Sequence, residues 1–154
     1  MDLKDKKAIV LRGEIDSGKS ATLNNLINKL LPVSRCIAKS HYRKATKDQW
    51  VVLEYNSKNI AIITVGDSVK DIKNAFEEMH RESSENIDLY ICTCRSRDKT
   101  REYMESLFNP YDLIWVFKWT VFREADVEEA IIKLFQDKAN EIQAQAILEM
   151  IDIV

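Results

Sequence analysis

Eight residues, Gly13-Glu14-Ile15-Asp16-Ser17-Gly18-Lys19-Ser20, constrain this chain more than any other stretch. They read G-x-x-x-x-G-K-S, follow the apolar run Ala8-Ile9-Val10-Leu11, and precede an amphipathic run from Leu23 to Leu31. A buried strand, a glycine loop and a helix, in that order, form the context in which a backbone curls around phosphate. Glycines let successive N–H groups turn inward, and the helix that starts in the loop adds the positive end of its dipole. The eight residues, with Ala21 after them, are expected to wrap the α- and β-phosphates of a nucleotide. Lys19 would reach the β- and γ-phosphates, and the Ser20 hydroxyl would ligate Mg²⁺. Of the three glycines in the chain, two occupy this motif, and the third, Gly66, ends another apolar run just before Asp67. All three fall where a doubly wound sheet presents its ligand-binding edge.

The length, 154 residues, suits a single domain with a substantial core, and the net charge of −2 supplies no field to draw nucleic acid or an anionic membrane. No apolar run approaches membrane-spanning length, and the charged start carries no signal-peptide core, so a cytoplasmic protein is expected. Cys92 and Cys94 lie one residue apart, which is not zinc-ligand spacing; with Cys36 they read as reduced thiols packed in or beside the core.

Lys7 to Leu11 reads as a central strand and Lys19 to Leu31 as a helix stopped by Pro32. The basic stretch from Val33 to Asp48 reads either as a solvated loop or as a segment that closes over the triphosphate. His41, Tyr42 and Trp50 keep base stacking open there. Gln49 to Tyr55 and Ile60 to Val65, separated by Asn56-Ser57-Lys58-Asn59, predict an antiparallel hairpin whose first strand is the sheet edge. Ser68 and Asp71 fit a capping box for a helix with its apolar stripe on Val69, Ile72, Phe76 and Met79. A strand from Ile87 to Cys94, a short helix through Tyr103 to Phe108 and a buried strand from Leu113 to Phe117 follow. From about Glu124 a helical pattern carries Val127, Ile131, Leu134, Ile142, Ile147, Met150 and Val154. Unbroken, it would span roughly 45 Å, more than the width of such a domain. It therefore either breaks near Lys138-Ala139-Asn140 or packs its far end on a second copy or a protein partner. The alternation of strands and helices argues for an α/β, three-layer, mostly parallel sheet with one antiparallel hairpin edge strand.

A phosphate loop of this kind needs an acid beside the metal, usually at the end of a neighbouring strand. Asp67 is the best placed, with helix capping as its other reading. Arg95, Arg97, Lys99 and Arg101 follow a strand at the same edge, where Arg95 and Arg97 would stabilise charge on a transferring phosphoryl group or serve as solvated helix-start charges.

The loop resembles that of the translational GTPases, whose G-x-x-D-S-G-K-[ST] form is matched by Gly13, Asp16, Ser17, Gly18, Lys19 and Ser20. The hairpin is also similar to their interswitch, and the resemblance covers about the first 65 residues. Their D-x-x-G and guanine-reading [NT]-K-x-D patterns are absent, which disfavours guanine. The later motifs, Gly66-Asp67-Ser68 and Cys92, Arg95 and Thr100, resemble a small group of bacterial P-loop proteins over about the first 120 residues. The chain departs from them at Arg97-Asp98-Lys99, where a glycine is expected. That resemblance implies a P-loop NTPase fold that binds ATP with Mg²⁺, and no particular reaction. Three activities stay open: hydrolysis of the nucleoside triphosphate, transfer of its γ-phosphoryl to a nucleoside, nucleotide or other small acceptor, and nucleotide sensing within an assembly.

Overall fold

A computed structural model describes residues 1–121 and 128–154. Its centre is a six-stranded sheet in the order β2-β3-β4-β5-β1-β6. The strands are β1 (Lys7–Gly13), β2 (Arg35–Lys39), β3 (Trp50–Tyr55), β4 (Lys58–Ile63), β5 (Leu89–Arg95) and β6 (Leu113–Phe117). β1 lies between β5 and β6, parallel to both, and β4 is parallel to β5. β2, β3 and β4 pair antiparallel. The fold is therefore α/β, with a mostly parallel sheet.

Among the described residues four α-helices cover both faces of the sheet: α1 (Lys19–Leu30), α2 (Val69–Glu82), α3 (Lys99–Leu107) and α4 (Glu129–Ile153). The alternating faces of the strands sort the core into two clusters. Ile9, Leu11, Leu53, Ile62 and Ile91 pack with Leu23, Leu26, Ile27 and Leu30 of α1 and with Ala144, Ile147 and Ile151 of α4. Val10, Val52, Ile63, Tyr90 and Cys92 face Ile72, Phe76 and Met79 of α2 and Met104 and Leu107 of α3. Each fully buried Leu, Ile or Phe contributes about 1.5–3 kcal/mol of transfer free energy, so both clusters are needed for a stable sheet.

Two local expectations are revised. Arg35–Lys39 is not loop: it forms β2 and takes the sheet edge that the first hairpin strand was expected to hold. Its weak pattern is that of a short, charged edge strand with a bulge between Cys36 and Ala38, and Cys36 is exposed there. The long terminal helix does not break at Lys138-Ala139-Asn140. Its far half packs on α1 of the same chain, while Ile131, Leu134 and Phe135 near its start, and Ile142 further along, stay exposed. The start expected near Glu124, with Val127, lies outside the described residues; the helix is described from Glu129. Among the described residues no helix is long and apolar enough to cross a membrane.

Candidate functional site

Parallel pairing puts the carboxyl ends of β1, β5 and β6 side by side, with β4 ending beside β5. Gly13 is in register with Arg95, Arg12 with Phe117, and Ile63 with Cys92. The residues that follow each strand end therefore converge. Asp16 and Gly18 adopt the left-handed backbone, with φ of 55° and 90°. Those two reversals fold 13–18 back over the start of α1, and Gly18 is its N-cap.

The curl closes on Lys19. Its Nζ donates to the Gly13 carbonyl at 3.1 Å and the Glu14 carbonyl at 2.7 Å, and the residue is only 5 % exposed. Burial pushes its ammonium down, and Arg95 adds to this, against the pull of Asp67, Cys94 and Glu14. Ser17 is buried beside it, and its Oγ has no hydrogen-bond partner. A buried hydroxyl with no partner in the protein costs about 1–3 kcal/mol, and Ser17 borders the cleft beside Lys19. Ser20 Oγ donates to the Thr64 carbonyl at 3.1 Å, as Thr93 Oγ1 does at 3.0 Å. Asp16 to Ala21, with Thr46, Lys47, Thr64, Gly66, Asp67 and Thr93, surround a cleft of about 290 Å³.

Asp67 lines that cleft and is not the cap of α2. Ser68 supplies the cap, its Oγ accepting from Asp71 N at 3.1 Å and donating to Asp71 Oδ2 at 2.6 Å. Arg95 stands at the same edge but pairs with Asp98 at 3.7 Å, and Asp98 caps α3 by accepting from Thr100 N at 2.8 Å. Arg97 is exposed and does not border the cleft, because β5 ends at Arg95 and the turn into α3 carries residue 97 outward. Glu14 and Ile15 also face solvent. Trp50 is 2 % exposed and donates through Nε1 to Glu78 at 3.1 Å, so it offers no face for stacking a base. Burial pushes the Cys94 thiol up to about 12 and raises Cys92 as well; both are inert at neutral pH.

Two contributors escaped the sequence reading. Asn140 of α4 packs on Gly18, where a Cβ would lie 2.8 Å from its Oδ1, and its Oδ1 accepts from Gln136 Nε2 at 3.0 Å. Lys118, just past β6, is 7 % exposed, and its Cβ would lie 2.7 Å from a Cβ on Gly13. Its Nζ donates to the Trp119 carbonyl. In a parallel sheet the residue after β6 lies beside Gly13 whatever its charge, since β6 runs in register with β1. Burial, and then the charge of Lys19, lower the Lys118 ammonium to about 8.

Lys118→Met should therefore stabilise the free protein, by about 1–2 kcal/mol, because it removes a buried charge and keeps the stem. The sign with pH follows. Between about 8 and the ordinary 10.5 the unfolded chain holds a proton that the folded chain has released, so this residue makes stability rise with pH across that window. Thermal melts from pH 7.5 to 10.5 check both points: the variant should start higher and rise less.

No protein-family model, no curated protein and no solved structure matches the chain. Fold and site together define an α/β protein with a lysine-closed glycine loop at the carboxyl edge of its sheet. Its chemistry is to be read from that edge.

Proposed function

We propose that the chain binds a nucleoside triphosphate in the glycine loop, with ATP the expected nucleotide, and cleaves its γ-phosphate bond. The observation that carries this reading is the desolvated Lys19 ammonium beside the unbonded Ser17 hydroxyl, both inside a curl of left-handed backbone. A buried cation held only by carbonyl oxygens, with a second buried lysine nearby, suits a multiply charged anion. Ser20 and Asp67 border the same cleft and fit Mg²⁺, which binds through few protein oxygens and otherwise through phosphates and water. The ion, when bound, neutralises charge on the β- and γ-phosphates. Lys19 shares that neutralisation from the protein side, Asp67 orients the coordinating water, and Arg95 adds positive potential at the edge. The absence of a guanine-reading carboxylate pattern in the sequence favours ATP over GTP.

A panel of ATP, GTP, CTP and UTP, with phosphate release followed with and without Mg²⁺, tests the reading directly. Asp67→Asn should lower Mg²⁺-dependent turnover by about tenfold or more and change Mg²⁺-free ATP affinity by less than about twofold. Equal loss of both would remove Asp67 from the metal and leave it a structural residue.

A further inference from the structure

A groove of about 450 Å³ lies on the half-exposed side of α1, between the segment 42–47 and α4. It adjoins the loop cleft over Ala21 and Lys47, which border both spaces. The cleft takes residues 16–21, and the groove takes Ala21, Asn24 and Asn25, the next turn of the same helix. Asn24 fastens one wall, donating through Nδ2 to the Lys47 carbonyl at 2.9 Å and accepting from Gln49 Nε2 at 2.8 Å. Asn140 of α4 belongs to the other wall and also packs on Gly18 of the loop. A larger cavity, of about 510 Å³, joins the turn 43–48 and β3 to α2, but residues 64–66 stand between it and the cleft.

Three groups in the groove lack partners among the described residues. The Asn25 side-chain amide makes no hydrogen bond, and the Tyr42 ring, 48 % exposed, stacks on no other ring. Asn140 is only 4 % exposed; its Oδ1 accepts from Gln136 Nε2 at 3.0 Å, while its Nδ2 donates to nothing. Asp137 and Glu141 of α4 line the groove with Lys47. Each carboxylate pairs with a lysine of its own helix, at 2.7 Å and 3.6 Å, and keeps further acceptor capacity.

We propose that this groove holds the nucleoside half of the ligand whose phosphates occupy the loop. The proposal rests on the triphosphate reading above and adds the part of the site that reads the base. A nucleotide is anionic at one end and neutral at the other, and α1 offers the matching order. Its positive start and Lys19 come first, and the amides, the ring and the carboxylates follow. The carboxylates turn a polyphosphate away and accept from ribose hydroxyls, which fixes the direction in which the ligand lies. Tyr42 supplies a flat face on which the base stacks. Asn25 presents a donor and an acceptor on one planar group, the pair that suits the N6 and N7 edge of adenine. Asn140, set against Gly18, leaves its Nδ2 as a donor where the two halves join. The groove thus favours ATP on grounds separate from the missing guanine-reading pattern.

Inorganic tripolyphosphate separates the two halves, because it carries the charge and no nucleoside. By calorimetric titration without Mg²⁺, the protein should bind ATP at least about tenfold more tightly than tripolyphosphate. Tyr42→Ala should weaken ATP about tenfold and leave tripolyphosphate within about twofold, whereas Tyr42→Phe, which keeps the ring, should leave both in place. Asn25→Ala should narrow the preference for ATP over UTP about fivefold. In 1H–13C spectra the Tyr42 ring resonances, assigned through Tyr42→Phe, should move with ATP and stay still with tripolyphosphate. ATP bound no more tightly than tripolyphosphate, or bound without moving those resonances, overturns the groove. So does a loss of both ligands in equal proportion in Tyr42→Ala. If neither ligand binds the parent, the triphosphate reading falls instead, and adenosine at about 10 mM then decides the groove alone through the same resonances.

Discussion

Lys19→Ala should lose ATP affinity by at least about 100-fold, measured by calorimetric titration, while circular dichroism and melting temperature stay close to the parent. Removing one partner of a desolvated, charge-assisted contact costs about 2–5 kcal/mol, which is the scale of that loss. The fold should tolerate the change for local reasons. Position 19 opens α1, where alanine is the best helix former, and the lost side chain bonds only the loop carbonyls of Gly13 and Glu14. Those carbonyls can turn to water once the ammonium is gone. Unaltered affinity would end the triphosphate reading, and with it the roles given to Ser20 and Asp67.

Gly66→Ala should be strongly destabilising for a single added methyl. A Cβ at residue 66 would stand 2.3 Å from Thr93 Oγ1 and 2.9 Å from the Thr93 carbonyl carbon. Thr93 is fully buried on β5 and its hydroxyl holds the Thr64 carbonyl, so neither side can yield. The difficulty is space between adjacent strand ends rather than backbone conformation. Overpacking of this kind costs about 3 kcal/mol, which for a chain of this size lowers the melting temperature by roughly 6–12 °C. Thr93→Ala in the same chain removes the 2.3 Å collision and leaves those with the residue-93 carbonyl carbon and Cβ, each 2.9 Å, so recovery should be partial. Complete recovery, or no loss to begin with, would mean that the β4 and β5 ends are not so closely joined.

Much of the architecture was legible because it is written in short-range patterns. The apolar run before Gly13 and the helical spacing after it fix β1 and α1. The hairpin followed from its turn: Asn56 and Ser57 take φ of 48° and 62°, the left-handed pair that a two-residue connection between twisted strands demands. Ser68 as a cap was equally local. What escaped is what only tertiary pairing creates. β2, read as Arg-Cys-Ile-Ala-Lys, has no pattern of its own and becomes a strand by bonding β3. The helix passes through Asn140 without a break because Gln136 engages the side chain that would otherwise compete with the backbone. Of the site, the loop and Asp67 were readable as sequence. Lys118 was readable only through topology: once β6 is paired parallel with β1, the residue after it falls beside Gly13, and nothing local to it says so. The cavity that joins the turn 43–48 and β3 to a face of α2 was the least readable part, because only tertiary packing brings those three segments together.

The seam between α1 and α4 bears on how the protein is made. Leu23, Leu26, Ile27 and Leu30 are synthesised well before Ala144, Ile147 and Ile151, which cover them. At about 5–20 residues per second, the oily side of the first helix waits many seconds for its lid on the ribosome. Asn140, which buttresses the bend at Gly18, arrives with that same late helix, long after the loop it supports. A nascent chain halted before it would carry the glycine motif complete in letters and unsupported in shape.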